Sequence, residues 1–111
     1  MLNQVVIVGR LVDNPTTIEK DDNKKTYMTL AVPRAYKNAD GVYETDFIDC
    51  VLWNGISTTV CEYCHKGDLV GIKARLQTTV VDEEDGTKRK VTEVIVEKVS
   101  FLSSKKNTEE S

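Results

Sequence analysis

Histidine is nearly missing from this chain: His65 is the one example among 111 residues. No nucleophile stands at a spacing that would pair with it, and no glycine-rich phosphate loop follows a strand, so no catalytic constellation emerges and an enzyme is not expected. The N-terminus, MLNQVVIVGRLVDNP, lacks a basic leader and a small-residue cleavage site, and Gly9 and Arg10 interrupt its apolar run. A signal peptide and a membrane-spanning helix are therefore not expected, and the reading is a cytoplasmic protein. An excess of basic residues is also lacking. The net charge is -3, which excludes a uniformly basic surface but leaves room for a basic stripe. Internal repeats are absent.

What is present is ordinary globular composition, 40 % apolar and 30 % charged, in a length that suits one domain. Such a chain can form a core without disulfides or metal. The three cysteines, an odd number in a reducing compartment, read as free thiols.

The strand signals come in order. Residues 2–12 are rich in Val and Ile and end at Asp13, Asn14 and Pro15. Residues 16–26 are mostly polar, and EKDDNKK reads as a charged turn or loop. A second strand is expected over 27–36, with Pro33 marking an edge or bulge. Asp40-Gly41 signals a hairpin. A third strand over 43–53 alternates: Ile48, Cys50 and Leu52 on one face; Tyr43, Thr45, Phe47, Asp49, Val51 and Trp53 on the other. A helix is expected over 56–66, its apolar stripe carried by Ile56, Val60 and Cys64 with Tyr63 beside them. Asn54 or Ser57 would cap its start and Gly67 would close its end, with His65 and Lys66 as last-turn cations. Strands over 69–81 and 88–102 follow, joined by the acidic turn DEEDG at 82–86, and a polar tail ends the chain. Five mostly antiparallel strands with a helix between the third and fourth match the OB-fold, a small all-β Greek-key barrel.

The stretch CEYCHKGD, residues 61–68, spells C-x-x-C-H, the pattern of c-type haem attachment and half of many zinc sites. Haem would need export and a second axial ligand, while the only methionines are Met1 and Met28. Zinc would need four ligands, and alternation places Cys50 among core residues. A redox pair would sit at a helix start, where the dipole favours thiolate, whereas these cysteines fall near its end. The expectation is that Cys64 packs as a small hydrophobe with Cys61 at the edge of the stripe. No metal or cofactor is expected; one equivalent of zinc or iron per chain would revive the alternative.

Single-stranded nucleic acid is held by rings that stack on bases and cations that follow phosphates. Phe47 and Trp53 share the outer face of the third strand, and Tyr36 with Lys37 opens the first hairpin loop. Arg10, Arg34, Lys73, Arg75 and the run Lys88-Arg89-Lys90 lie on strands that an OB-fold would gather on one side. Against this, a ring on such a face can simply be covered by other elements, and each cation alone is an ordinary surface charge.

The blocks MLNQVVIVGRLVDNP, TLAVPRAY, TDFIDCVLWN, YCHKGDLVGIKARLQT and VTEVIVEKVSFL, in that order over residues 1–102, resemble the bacterial single-stranded-DNA-binding protein family. The resemblance implies an OB-fold over 1–102. It also implies sequence-independent coating of single-stranded DNA in replication, recombination or repair, a homotetramer built as a dimer of dimers, and a cytoplasmic, nucleoid-associated protein. By motif, Tyr36 falls on the aromatic after the second strand, and Phe47 and Trp53 on those opening and closing the third. Two departures stand out. The family's aromatic at the end of strand four is replaced by Thr79, Val80 and Val81, followed by acidic residues 82–85. The tail, residues 103–111, ends NTEES, where longer members carry an acidic tip closing on Pro-Phe that recruits replication proteins; that activity is not expected here. The acidic pI and the missing ring leave an alternative: an OB domain serving as a protein-interaction or assembly module with weak nucleic-acid binding.

Overall fold

The computed structural model describes residues 1–103. In chain order it contains β1 (Val5–Leu11), β2 (Thr16–Lys20), β3 (Asn23–Lys37), β4 (Tyr43–Trp53), α1 (Asn54–Tyr63), β5 (Leu69–Asp82) and β6 (Lys88–Ser103). The strands form one sheet in the order β1-β5-β6-β4-β3-β2, and β3 also pairs with β1 through Arg10–Ala31 and Leu11–Leu30. That last pairing closes β1, β5, β6, β4 and β3 into a five-stranded barrel, the OB architecture. The pairings are antiparallel except the short parallel one between β4 and β6. No helix among the described residues is long and apolar enough to cross a membrane.

The sixth strand is a correction. Residues 16–20, read only as part of a polar stretch running into the charged turn or loop EKDDNKK, form β2, which lies outside the barrel on the edge of β3. All five of its side chains are exposed, so no apolar alternation marks it. Its turn is Asp21-Asp22, both with positive φ (52° and 65°), between paired Lys20 and Asn23. Two left-handed residues are what a two-residue hairpin turn requires, and aspartate tolerates that region better than most side chains. With β2 counted, α1 follows the fourth strand instead of the third.

The core is the inner face of the barrel plugged by α1. Leu11, Met28, Leu30, Cys50, Leu52, Val70, Ile72, Ala74 and Val96 meet Val60 and Cys64 of the helix. Burial of each larger aliphatic contributes about 1.5–3 kcal/mol. Barrel closure forces β1 against β3 at Gly9, where a Cβ would stand 2.9 Å from the Ala31 carbonyl oxygen and 3.0 Å from Val32 Cγ2. Only glycine lets the two backbones approach so closely.

The helix begins two residues and ends three residues earlier than expected. Trp53 is its N-cap, without a side-chain cap bond, and Cys64 its C-cap. Asn54 does not cap; its carboxamide accepts the Lys24 N–H at 3.1 Å. Ser57 is buried and hydrogen-bonded to Thr26. Gly67 (φ 92°) lies in the turn beyond the helix, donating its N–H to the Leu11 carbonyl. His65 and Lys66 are likewise past the helix: Asp68 and Asn14 side chains accept their backbone N–H groups. Tyr63 is exposed, not part of the inner stripe, and its ring lies tilted against Phe101 at 5.9 Å. Cys64 is buried in the core as expected, and Cys61 is exposed beside Thr17 at 2.9 Å. Apart from Ser103, which ends β6, the polar tail lies outside the described residues.

Candidate nucleic-acid interface

Strand alternation and register determine which side chains share the outer surface. On β3 these are Lys25, Tyr27, Thr29 and Ala31; opposite them on β4 stand Trp53, Val51, Asp49 and Phe47. Phe47 is 66 % exposed because its cross-strand neighbour is only Ala31, which cannot cover a ring. Trp53 and Tyr27 are also exposed, and Lys25 stands over both: its Nζ is 5.2 Å from the Trp53 centroid and 5.0 Å from that of Tyr27. Val51, expected to face outward, is on the outer face but buried. It pairs with Ile95 of β6, also buried, and together they make an apolar floor beneath the rings.

The β5–β6 hairpin projects past this floor and forms the second wall. Between the walls lies a cavity of about 280 Å³ lined by Tyr27, Met28, Thr29, Asp49, Val51, Val91, Thr92 and Glu93. Two ties hold its polar rim. The Thr29 hydroxyl donates to Asp49 Oδ1 at 2.7 Å. Glu93 accepts from the Thr79 hydroxyl at 2.9 Å and pairs with Lys25 at 3.6 Å. Hydrogen bonding to Tyr27, aided by the Glu93 charge and opposed by burial, raises the Lys25 ammonium above its ordinary pKa, so it stays charged.

The structure gathers some of the anticipated residues and disperses others. Phe47 and Trp53 share the face, and the register sets Arg10 beside Ala31 in the row that ends at Phe47. The Arg10 guanidinium donates to the Gly67 carbonyl at 3.1 Å. Arg75 lies in the row Tyr27–Val51–Ile95–Arg75, its guanidinium 3.7 Å from Glu97 and donating to Gln77. Arg34 is clamped by Asp46 and Glu44, at 2.9 and 2.6 Å. Arg89 donates to Glu83 at 2.6 Å. Lys73 stands apart, opposite Val6 on the β1–β5 side. Tyr36 is highly exposed within the irregularity between Pro33 and Lys37, and Lys37 lies over Tyr43 at 5.6 Å. Lys88 begins β6 opposite Asp82, at the acidic turn. Val80 and Val81 are exposed on the projecting hairpin where no ring stands.

Lys25 and Tyr27 were missed by sequence reasoning. The signal existed: they alternate with buried Thr26 and Met28, and pairing across the Asp40-Gly41 hairpin puts them against Trp53 and Val51.

Exposed rings, a cation over them and an apolar floor make a surface on which planar groups can stack. The single-strand binding protein family model matches residues 2–102 of this chain. The chain belongs to that family. It is 40 % identical over 106 residues to single-stranded DNA-binding protein B of Bacillus subtilis (strain 168), covering 95 % of this chain and 94 % of the relative. It is 37 % identical to single-stranded DNA-binding protein 1 of Clostridium acetobutylicum, over 95 % and 97 % of the two chains. Single-stranded DNA-binding protein 3 of Listeria innocua is 41 % identical over 96 % of this chain and 68 % of its own length.

Proposed function

We propose that this protein binds single-stranded DNA without sequence preference, coating and protecting it during replication, recombination or repair. The observation that carries the reading is the outer face where Phe47, Trp53 and Tyr27 stand exposed with Lys25 over two of the rings. Bases stack on rings of this kind at about 1–3 kcal/mol each, whatever their identity, while cations neutralise the phosphates. Trp53, Phe47 and Tyr27 would supply the stacking surface, with Tyr36 extending it along the β3–β4 hairpin. Lys25, Arg10, Lys37 and Lys88 would meet phosphates. Arg34 and Arg89, bonded to carboxylates at 2.9 Å or less, would contribute less than Lys25 and Arg75, whose carboxylate neighbours stand at 3.6 and 3.7 Å. The protein is read as a binding protein and not an enzyme, acting on the nucleoid in the cytoplasm.

Titrating the protein with oligo(dT) while following Trp53 fluorescence tests this. Quenching at low salt that fades as salt rises is expected, because phosphate neutralisation releases counterions. Unchanged fluorescence together with no binding at low salt would overturn it. The carboxylate-paired arginines favour the second reading, a protein-interaction module with weak nucleic-acid binding; in that case oligonucleotide would fail to shift the protein while a protein partner co-purifies.

A homotetramer, assembled as a dimer of dimers, is part of the proposal. Among the described residues Val5 to Gly9 pair only with β5, which leaves one strand edge open, and exposed Val6, Val8 and Leu102 lie beside it. Ile48, on the inner face of β4, packs against the core and is not part of this surface. Size exclusion with light scattering distinguishes monomer from tetramer.

A further inference from the structure

The cavity between the rings and the β5–β6 hairpin holds two carboxylates, an odd choice for a surface that meets polyphosphate. They are not equivalent. Both oxygens of Glu93 are engaged, one by the Thr79 hydroxyl and one by Lys25. Asp49 is fixed through Oδ1 by Thr29, and among the described residues no side chain donates to its Oδ2 and no cation pairs with it. Asp49 therefore presents an oriented, negatively charged acceptor at the edge of a cavity on the scale of a single planar base, floored by Val51 and walled by Tyr27 and Val91. A phosphate would be repelled there. A strand crossing this point has to turn its backbone away and its base inward.

The chemistry of base edges then separates the four bases. Cytosine, adenine and guanine each carry an exocyclic amine that can donate to a carboxylate. Thymine has a single ring N–H flanked by two carbonyl oxygens, which a carboxylate would repel. We propose that Asp49, positioned by Thr29, is a base-discriminating residue: the nucleotide seated in this cavity is accepted when it bears an exocyclic amine and disfavoured when it is thymine. This deepens the single-strand-binding reading and rests on it. It adds a local bias at one nucleotide to binding that is otherwise indifferent to sequence.

The test is the ratio of affinities for oligo(dC) and oligo(dT) of equal length, measured at one salt concentration for the native protein, Asp49→Asn and Thr29→Val. Removing the charge raises affinity for every oligonucleotide, so the absolute change says nothing; the ratio does. Asparagine can accept from cytosine and also donate to thymine, so Asp49→Asn should lower the dC:dT ratio at least about fivefold, the lower end of what one base contact discriminates. Thr29→Val, which frees the carboxylate to rotate, should lower it by a smaller factor. A ratio unchanged in both variants, with both oligonucleotides still bound, overturns the role of Asp49 and leaves the stacking surface intact. Failure of the native protein to bind either oligonucleotide overturns the stacking surface itself, and the role of Asp49 with it.

Discussion

The ammonium of Lys25 lies 5.2 Å from the centre of the Trp53 ring, across the β3–β4 pairing from it. In the proposed function, one residue would offer a stacking face and its neighbour a phosphate partner within one base step. Tyr27 and Glu93 hold the cation in place.

Trp53→Ala should weaken oligo(dT) binding by about tenfold, within the 1–3 kcal/mol of a stacked base, and Trp53→Phe should recover most of it. The ring is 40 % exposed, so the domain should stay folded. Circular dichroism alongside the titration checks both; an unfolded Trp53→Ala protein would show the ring to be part of the core.

Lys25→Gln should lower the slope of log affinity against log salt by about 1, the signature of one lost phosphate contact. Arg34→Ala should change that slope less. The Arg34 hydrogen bond holds the Asp46 carboxyl below its ordinary value of 3.8, and the same bond raises the guanidinium. The support this pair gives the β3–β4 hairpin is therefore fully present above 3.8 and lost as the pH falls through the lowered Asp46 value. NMR titration of Asp46 and of hairpin amide exchange reads this directly.

Gly9→Ala should destabilise the fold by about 1–3 kcal/mol, because its Cβ meets a backbone carbonyl that cannot swing aside. The loss should be centred where β1 joins β3, seen as faster amide exchange at Leu11 and Ala31 with a lower urea midpoint.

Alkaline pH should unfold the protein through its buried thiols. Burial, with Asp49 adding, pushes the Cys50 thiol up to about 12; burial, then Asp68 and Cys61, pushes Cys64 up to about 11. Below the ordinary value of 9.0 both folded and unfolded chains keep these protons. Above it the unfolded chain releases them first, so each thiol costs up to about 1.4 kcal/mol of stability per pH unit until its folded value is reached. Urea midpoints at pH 8 and pH 10 should diverge, and Cys50→Val should narrow the gap where Cys61→Ser does not.

The parts of the fold legible in the sequence were those where burial imposes a period. Inner positions Cys50 and Leu52 alternate with outer Phe47 and Trp53, and β4 runs over the residues expected. β2 was illegible because all its side chains face solvent; its one signal, two consecutive aspartates in a left-handed turn, is indistinguishable by composition from a charged loop. The helix boundaries slipped because its ends are set by tertiary contacts: Asn54 is drawn to Lys24, and Gly67 to Leu11. Within the candidate site the rings of β4 could be found from alternation alone. The state of the cations could not, since pairing Arg34 with Asp46 or Arg89 with Glu83 depends on how far a hairpin brings distant carboxylates around. The family's likeness likewise pointed to Trp53 and Phe47 but not to Lys25, which only the cross-strand register reveals.

The C-x-x-C-H stretch has a practical consequence for the bench. Two of the three sulfurs are sealed in the core, and Cys61 alone opens to solvent, in a cavity shared with Thr17, Glu19, Lys24, Ser57, Thr58 and Glu62 and none of the stacking rings. A maleimide dye would therefore attach at one known place per subunit without prior mutagenesis, and brightness steps on photobleaching would count subunits on a single molecule of DNA.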